Sequence, residues 1–390
     1  MTTIIVSSKK LLKALRQTKP CLGSPAFPLY DHYMIEATTD DTISVMATDG
    51  STTAIRNIDV TIEGDRNVQF AVHGYFLSRM LRLLPDQPLS VSCYDTQIAV
   101  HHQDGTFYLP TMDSAGRNVM VFNEEECHYA KFEVPQLKKY LKRSAMAVAD
   151  DELRPVMNGI FFEFTKDGAC FITASDGHIL SSSEIYTGFE GPGCDASFVM
   201  PKKIIQMLLH VLPKAGWCKL WWNDSQIAVS ITDNDGSEDL HINGKLIEGC
   251  FPNWRSVIPK SFQMSISVER KRFTLAVRRA AVFAPASHLL LFTVSQDSLR
   301  INSKDGDYEH GSEEHIPVSA SPALRPVSAP SVAGYRIAFS HYHLLRLLKV
   351  LTEDQITINC NNLNGASTIS QDSSDTDTTT YLIMSMYTGE

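Results

Sequence analysis

Apolar residues recur in the same order at three places along the chain. Phe70 to Pro85 and Phe198 to Pro213 each begin with a short apolar run and continue with leucines three and four residues apart, and Ile337 to Thr352 repeats this pattern. The short run predicts a strand, and the three-and-four spacing predicts an amphipathic helix. Because a chain with internal repeats is interpreted repeat by repeat, the three copies predict three related domains.

Two further features repeat with nearly the same period. The segment Asp95 to Val100 returns almost unchanged as Asp224 to Val229, which places both on an equivalent strand after the second helix of a domain. An Asp-Gly pair, typical of a hairpin turn, follows an apolar alternating run once in each repeat. The three pairs are Asp49-Gly50, Asp176-Gly177 and Asp305-Gly306.

The spacing of the helices divides each repeat into two half-units. Each half-unit contains a strand, one helix and about three strands, and Pro201 is expected in the first turn of its helix. One helix cannot cover a four-stranded sheet, so two half-units are expected to pair into one α+β domain. The predicted domains are residues 1–125, 126–257 and 258–390, and the helices are predicted to start near Lys9, Tyr75, Gln136, Lys202, Arg272 and His341.

Composition indicates ordinary globular domains. The chain is 43% hydrophobic with a formal charge of −9, and it has no apolar run long enough to span a bilayer and no signal-peptide core. We therefore expect a cytoplasmic protein. The eight cysteines are scattered singly, without the spacing of a zinc site, and are expected to be reduced packing residues. No metal or cofactor is predicted.

Basic residues concentrate on all six predicted helices although the chain is acidic. For a single helix, lysine and arginine are ordinary residues of a solvated face. Their presence on six equivalent helices instead predicts one basic band suited to a phosphate backbone. No helix start carries the polar cluster that base readout needs, so binding without sequence preference is expected.

Catalytic alternatives have weaker support. The carboxylates Asp150, Asp151 and Glu152 could form a metal-dependent nuclease site, but a solvated loop is the simpler interpretation. His178 follows a turn and lacks a partner for acid-base chemistry. The glycines at 188, 191 and 193 do not match a nucleotide-binding fingerprint.

Three segments together carry a family resemblance. Asn158 to Phe162, Ser175 to Leu180 and Leu246 to Arg255 resemble successive signatures of the bacterial sliding clamp, the beta subunit of the replicative DNA polymerase. The final strand, Tyr381 to Met386, is similar to the last strand of that family, and the threefold repeat matches the family's architecture over the whole chain.

The resemblance implies a ring of two head-to-tail protomers, with helices lining a central hole and sheets outside. It implies a non-catalytic processivity factor that encircles double-stranded DNA and binds the replicative polymerase, the clamp loader and repair proteins. A metal-dependent nucleic-acid enzyme, or a peptide-binding scaffold on the same repeats, remains the alternative. The predicted DNA-binding residues are Lys10, Lys13, Arg79, Arg82, Lys138, Lys142, Arg154, Lys202, Lys203, Arg278 and Arg346.

The resemblance also implies an apolar pocket between the second and third domains that binds a short linear motif of those partners. Methionines at such a groove suit varied peptides. The residues carried over by motif are Met157, Ser175, Gly177, His178, Ile179, Leu180, Pro252, Val257, Ser340, His343, Leu382, Ile383, Met384, Ser385 and Met386.

This chain departs from the family pattern at several of these positions. Ile179 stands in place of a basic residue, Ser256 in place of a second arginine and Ser385 in place of proline, so a more apolar rim is expected. The chain ends at Glu390 without the usual terminal basic residue. Pro155 and Val156 occupy positions that are aromatic in some relatives, and the loop Gly23 to Phe27 lacks an arginine.

Ring closure requires a third-domain edge to meet a first-domain edge of the second protomer. A charge match is possible between an acidic third-domain stretch and the first-domain helix, with Phe107 and Leu109 supplying apolar contact, although the stretch could equally be a solvated hairpin. The acidic residues are Asp305, Asp307, Glu309, Glu313 and Glu314, and the basic ones are Arg79 and Arg82.

Overall fold

Six helices lie at the six predicted places. The computed structural model describes residues 2–23, 30–37, 41–113, 119–122, 127–232, 238–295, 297–304, 310–322, 334–361, 365–371 and 377–387. Every helix begins within two residues of its predicted start, which confirms the period. The helices are α1 Ser8–Thr18, α2 Gly74–Leu83, α3 Val134–Ala145, α4 Lys202–Val211, α5 Arg270–Ala281 and α6 His341–Val350.

The strands follow the helices in the predicted order. Each half-unit has one strand before its helix and three after it, and a short extra strand (β5, β14 or β23) ends the first half-unit of each domain. The strands are β1 Thr2–Ser7, β2 His32–Ala37, β3 Thr42–Thr48, β4 Thr52–Asp59, β5 Thr61–Glu63, β6 Gln69–His73, β7 Pro88–Cys93, β8 Gln97–His102, β9 Gly105–Met112, β10 His128–Glu133, β11 Gly159–Phe164, β12 Cys170–Ser175, β13 Ile179–Ile185, β14 Phe189–Glu190, β15 Ala196–Pro201, β16 Trp217–Trp222, β17 Gln226–Thr232, β18 Glu238–Lys245, β19 Met264–Glu269, β20 Leu289–Val294, β21 Ser298–Lys304, β22 Gly311–Pro317, β23 Ser319–Pro322, β24 Tyr335–Ser340, β25 Gln355–Cys360, β26 Ala366–Gln371 and β27 Thr378–Met384.

Pro201 is the last residue of β15 and lies immediately before α4, so the expectation that it occupies the first helical turn was wrong. The fixed φ of proline also suits an extended residue that ends a strand. The repeated segments lie on β8 and β17 as predicted, and both strands are the second after their helix.

The two half-units of a domain exchange their first strands. β1 precedes α1 but pairs with β7 of the second half-unit, and β6 precedes α2 but pairs with β2 of the first. The same exchange joins β10 to β16, β15 to β11, β19 to β25 and β24 to β20. No half-unit therefore completes its own sheet.

The chain forms two compact units. The first contains residues 1–138, 188–192 and 203–246, and its strands form one sheet in which β4 pairs with β18. The second contains residues 139–187, 193–202 and 247–390, and its nine-stranded sheet is continuous because β13 pairs with β27. A four-stranded sheet, β22-β21-β20-β24, belongs to the second unit. The division at 1–125, 126–257 and 258–390 stays a prediction.

Amphipathic helices cover the sheets as their spacing predicts. In α1, Leu11, Ala14, Leu15 and Thr18 are buried, and the Ser7 hydroxyl caps the helix by accepting a hydrogen bond from the Lys10 N–H at 3.3 Å. Four cysteines, Cys21, Cys170, Cys218 and Cys360, are buried, and burial raises the pKa of the Cys21 thiol to about 12. These thiols are packing residues, whereas Cys194 and Cys250 are exposed.

Candidate functional site

The turn between β12 and β13 lies at the centre of the predicted pocket. Asp176 Oδ1 accepts hydrogen bonds from the N–H groups of His178 at 2.9 Å and Ile179 at 2.8 Å. Gly177 has a φ of +90°, which favours glycine. The Ser175 hydroxyl accepts from the Gly177 N–H at 3.1 Å and donates to the Ile179 carbonyl at 2.9 Å. The predicted Asp-Gly hairpin is therefore confirmed and is rigidly hydrogen-bonded.

The same turn occurs between β3 and β4 in the first unit. Asp49 Oδ1 accepts from the N–H groups of Ser51 at 3.0 Å and Thr52 at 2.8 Å, and Gly50 has a φ of +85°. Thr48 takes the place of Ser175 and accepts from the Gly50 N–H at 3.1 Å. The third turn, Asp305-Gly306, lies outside the described residues.

Both turns hold a cation from the second helix of the following domain. Arg346 of α6 donates from Nη1 to Asp176 Oδ2 at 2.8 Å, and Lys203 of α4 forms an ion pair with Asp49 Oδ2. Burial acts to raise the pKa of Asp49, but hydrogen bonds from Lys203, Thr52 and Ser51 outweigh it and hold that pKa below its usual range. The two cations therefore join elements of the protein.

Leu180 and Leu382 form the floor of the predicted pocket. They are register partners on β13 and β27, and they are 1% and 2% exposed. They pack in one apolar cluster with Val199, Phe251 and Trp254, against which Met384 also packs. The structure thus brings together residues from β13, β27 and the segment that carries Pro252 and Val257.

Ile179 and Ile383 do not belong to this floor. They are the next register pair, and successive residues of a strand point to opposite faces of a sheet. Each is 1% exposed, so the expectation of a more apolar rim from Ile179 was wrong: this side chain is buried and cannot form a rim.

Several residues of the predicted pocket are accessible at the surface. Gly177, His178, Pro252 and Val257 are exposed, and the half-buried Met384 donates from its N–H to the His178 carbonyl at 2.8 Å. The Ser385 hydroxyl donates to the Gly365 carbonyl at 2.9 Å, and the Met386 N–H donates to the Ala338 carbonyl at 2.8 Å. The end of β27 is therefore tied to the turn and to β24.

Histidines line one side of the turn. The rings of His178 and His343 stack with their centroids 4.9 Å apart, and His343 Nδ1 lies 3.8 Å from Asp176 Oδ2. Burial lowers the pKa of His343. The Asp176 carboxylate opposes that effect, while His178, Arg346 and His288 add to it. His343 is therefore biased toward its neutral form beside the pocket.

Met157, Ser340 and Arg154 complete the surroundings of the turn. Met157 is 6% exposed, and Ser340 is 7% exposed at the start of α6. The Arg154 side chain lies against the turn, because a Cβ on Gly177 would be 3.1 Å from Arg154 Nη1.

Several of the cations predicted to contact DNA form contacts within the protein. Arg154 donates from Nε to Asp151 at 2.8 Å, Lys202 pairs with Asp150 at 3.1 Å, and Lys138 donates to the Leu212 carbonyl at 2.7 Å. Lys203 and Arg346 hold the two turns. The residues Lys10, Lys13, Lys142, Arg79, Arg82 and Arg278 have exposed side chains.

The two described carboxylates of the predicted acidic edge, Glu313 and Glu314, are paired within the chain. Arg279 donates to both oxygens of Glu314 at 2.8 and 2.6 Å, and Arg300 and His315 pair with Glu313. These contacts lower the pKa of both carboxylates, and they compete with the expected match to Arg79 and Arg82. Asp305, Asp307 and Glu309 lie outside the described residues.

Sequence reasoning missed several exposed apolar residues. Val282 and Phe283, just after α5, are 76% and 41% exposed, and Leu83 at the end of α2 is 81% exposed. A comparison of equivalent positions in the repeats would have identified them. Val211, which takes the position of Leu83 in α4, is 7% exposed, and Ala147, which takes the position of Phe283 after α3, is 0% exposed.

The candidate catalytic carboxylates are paired with cations. Asp150 pairs with Lys202 and Asp151 with Arg154, and the bonds from Arg154 and the Leu153 N–H lower the pKa of Asp151. Within the described part of the chain, no group of three or more His, Cys, Asp or Glu side chains could hold a metal ion. No described helix is long and apolar enough to cross a membrane.

Two family models match the chain. The central domain of the DNA polymerase III beta subunit matches residues 131–253, and its C-terminal domain matches residues 255–387, so together they cover about two thirds of the chain. The beta sliding clamp of Escherichia coli K12 is 23% identical over 316 residues, which are 79% of this chain and 82% of that clamp. The clamp of Borreliella burgdorferi is 23% identical over 261 residues, 63% of this chain and 65%, slightly under two thirds, of that clamp.

Solved structures share the fold. The DNA polymerase III beta subunit of Thermotoga maritima superposes with a TM-score of 0.86 at 20% identity over 99% of this chain and 100% of that one. The sliding clamp of Bacillus subtilis has the same TM-score at 18% identity over 99% of both chains. The α+β clamp fold is thereby confirmed. The chain belongs to the bacterial DNA polymerase III beta subunits, the beta sliding clamps, which are non-catalytic processivity factors of that polymerase.

Proposed function

We propose that two copies of this chain close head to tail into a ring that encircles duplex DNA without reading its sequence. In this ring, the pocket around Leu180 and Leu382 binds a short apolar motif of the polymerase, the clamp loader and repair proteins. The ring acts in the cytoplasm, and the repeats correspond to domains 1–125, 126–257 and 258–390. The observation that carries the proposal is a junction between consecutive domains that occurs twice within the chain. The first and third domains also expose apolar surfaces that match the two sides of this junction.

The two junctions have the same construction. In the first unit, β4 pairs with β18, the Asp49 turn binds Lys203, and Cys21 Sγ lies 3.5 Å from Met207 Sδ of α4. In the second unit, β13 pairs with β27, the Asp176 turn binds Arg346, and Arg346 also donates to the Met146 carbonyl after α3. Met207 and Arg346 occupy the same position in their helices.

A third junction of this kind lacks its partner within one chain. Arg79 of α2 occupies the helix position that Met207 has in α4 and Arg346 has in α6. Phe283 occupies the position of the buried Cys21 and Ala147. Phe76 is 56% exposed, whereas Ile204 at the same position of α4 is 1% exposed. β9 is the repeat equivalent of β18, which pairs with β4 at the first junction. β22 is the equivalent of β13, which pairs with β27 at the second junction. The last residues of β9, Thr111 and Met112, already pair with β6. A second copy that pairs β22 with the preceding part of β9 would cover the exposed apolar residues of both surfaces, a stronger argument than the charge match.

The assembly is tested by Phe283→Asp. A buried unpaired carboxylate is strongly unfavourable, so sedimentation velocity should show a monomer where the wild type sediments as a dimer. Leu275→Asp is the matched control, because Leu275 is an aliphatic residue of the same helix, α5, and is 52% exposed. A dimeric Phe283→Asp variant would contradict this junction.

The enclosure is tested on DNA. Clamp loaded onto closed circular duplex should stay bound, and it should leave when the circle is cut. Loss at equal rates from both forms would rule out the ring. Turnover that requires a metal and disappears in Asp151→Asn would instead support the enzyme alternative, and binding that ignores DNA topology would support a scaffold.

The pocket is tested by Val257→Asp. Val257 is 49% exposed beside the apolar floor, so a charge there should weaken binding of an apolar peptide at least tenfold without unfolding the chain. Leu153→Asp, at a residue 92% exposed outside the predicted pocket, is the control. Equal peptide affinity of the two variants, measured by fluorescence anisotropy, would contradict the proposed pocket.

A further inference from the structure

The predicted DNA-binding cations differ sharply in what they contact. In the central domain, Lys138, Arg154, Lys202 and Lys203 each bind a protein oxygen, and Arg143 of α3 is buried and donates to Thr379 Oγ1 at 3.0 Å. Lys142 is exposed and forms no ion pair with the described residues. A cation that already binds a carboxylate must give up that bond before it can release a counterion from DNA, so its contribution to DNA affinity is reduced.

The first helix of the first domain has the opposite character. Lys9, Lys10 and Arg16 of α1 are exposed, and none forms an ion pair within the described ranges. Lys9 and Lys10 are adjacent, and Arg16 lies seven residues after Lys9, about two helical turns along the same face, so Lys9 and Arg16 project from the side of α1 opposite the buried Leu11 and Leu15.

The first helix of the third domain is similar. Arg272 and Arg278 of α5 are exposed and form no ion pair among the residues that the structure describes. Lys271 lies 3.2 Å from Asp354, but both side chains are largely exposed, at 66% and 75%, so this pair is weak and easily exchanged for a phosphate.

The central domain also carries acidic residues where it could meet DNA. In the loop of residues 150–152, Asp151 pairs with Arg154 at 2.8 Å and Asp150 lies 3.1 Å from Lys202; the Asp150 side chain is 89% exposed, so a phosphate that approaches Lys202 also meets this carboxylate. The exposed residues of α4 are Gln206 and His210, so this helix presents no lysine or arginine that is both exposed and unpaired in the described structure.

We propose that α1 and α5 carry most of the phosphate contacts of this clamp and that the central-domain cations act mainly as structural residues. This inference rests on the proposed ring around DNA. It predicts that the phosphate contacts are unevenly distributed and that attraction to the duplex is strongest along the first helices of the first and third domains. The central domain then allows the duplex to pass with little attraction.

Three charge-removal variants test it, each with three glutamine substitutions. The α1 set replaces Lys9, Lys10 and Arg16, the α5 set replaces Lys271, Arg272 and Arg278, and the central set replaces Lys142, Arg154 and Lys202. The affinity of each variant for a short linear duplex is measured by fluorescence anisotropy over a salt series. Circular dichroism and sedimentation check that each variant remains folded and dimeric.

The α1 and α5 sets should each weaken binding about tenfold or more at low salt and lower the salt slope by about one unit for each phosphate that is no longer neutralised. The central set should weaken binding less than about threefold, because Lys142 alone is unpaired. A central set that matches or exceeds the other two would overturn the inference.

Retention on circular DNA separates this inference from the ring itself. If the wild type leaves closed circles as fast as cut ones, the ring proposal fails first. If the wild type is retained on closed circles but the three sets weaken binding equally, the ring proposal stands and the uneven distribution of phosphate contacts is refuted.

Discussion

The turns at Asp49 and Asp176 are copies of one structure with different consequences. Both have an aspartate that accepts two N–H groups, a glycine with positive φ and a cation from a following helix. They differ at the helix position that Ile204 occupies near the first turn and His343 near the second. Ile204 is buried at 1% exposure, whereas the His343 side chain is 19% exposed and stacks on the exposed His178.

The difference explains why the proposed binding site lies at the second junction and not at the first. Apolar packing supports the first junction, with Cys21 against Met207 and Ile204 against Gly244. At the second junction, polar and aromatic groups replace this packing, and the turn stays accessible beside an apolar floor. A few side chains at equivalent positions therefore decide which copy can receive a partner.

The largest expected effect distinguishes the two ion pairs. Arg346→Met places at the second junction the residue that Met207 supplies at the first, and it leaves Asp176, whose side chain is 11% exposed, without its cation. It should lower the free energy of unfolding by roughly 2–3 kcal/mol. Lys203→Met should lower it by only about 1 kcal/mol, because both partners of that pair are more exposed, at 34% and 22%. Urea unfolding measures both, and equal losses would mean that the junctions are energetically equivalent.

The turn glycines give the next effect. Alanine at Gly50 or Gly177 should lower the free energy of unfolding by about 1–2 kcal/mol, because L-residues are strained at positive φ. Gly168→Ala is the control, since Gly168 has a φ of +84° and no atom within 4 Å of its added Cβ. Any excess for Gly177→Ala over this control measures the displacement of Arg154. The absence of a loss in all three variants would show that the turns relax.

A pH effect should appear at the second junction in the mildly acidic range. Burial and the neighbouring Arg346 and His178 lower the pKa of His343 below 6.5, although Asp176 opposes them. The unfolded chain then takes up the proton first, so His343 removes stability as the pH falls from 6.5 through its folded pKa. His343→Ile places at this position the residue type of the first junction. As the pH falls over this range, the free energy of unfolding of the wild type, measured by urea titration, should decrease more than that of His343→Ile. Parallel pH profiles would contradict it.

The smallest effect belongs to the first junction and occurs only in acid. The net balance of burial and hydrogen bonds places the pKa of Asp49 below 3.8. A lowered carboxyl pKa adds stability that is complete above 3.8 and is lost as the pH falls through the folded value. The stability advantage of wild type over Asp49→Asn should therefore be constant above that pH and shrink below it. A difference that changes between neutral pH and 5 would have another cause.

Local periodicity predicted the helices and the order of strands, because leucine spacing and turn residues act over a few positions. The exchange of first strands was not predictable in this way, since β1 and β7 meet through a pairing of residues more than 80 positions apart. The direction in which the Ile179 and Ile383 side chains point also depends on the register of the sheet, which a sequence motif does not specify.

The charges show the same limit. Six basic helices were visible in the sequence, but the acidic partners of Lys202 and Arg346, Asp150 and Asp176, lie 52 and 170 positions away and only the fold brings them near. The uncovered Phe283 could have been found from the sequence by aligning the ends of α1, α3 and α5, where its counterparts are Cys21 and Ala147.

The exchange of first strands has a consequence for how such a chain can be shortened or built. A fragment that stops after one half-unit would leave its own sheet without a strand and carry a strand with no sheet to join, so it should not fold alone. Two half-units are the smallest piece that closes its hydrogen bonds. By the same reasoning, an isolated half-unit could complete its hydrogen bonds only by exchanging its first strand with a second copy of itself.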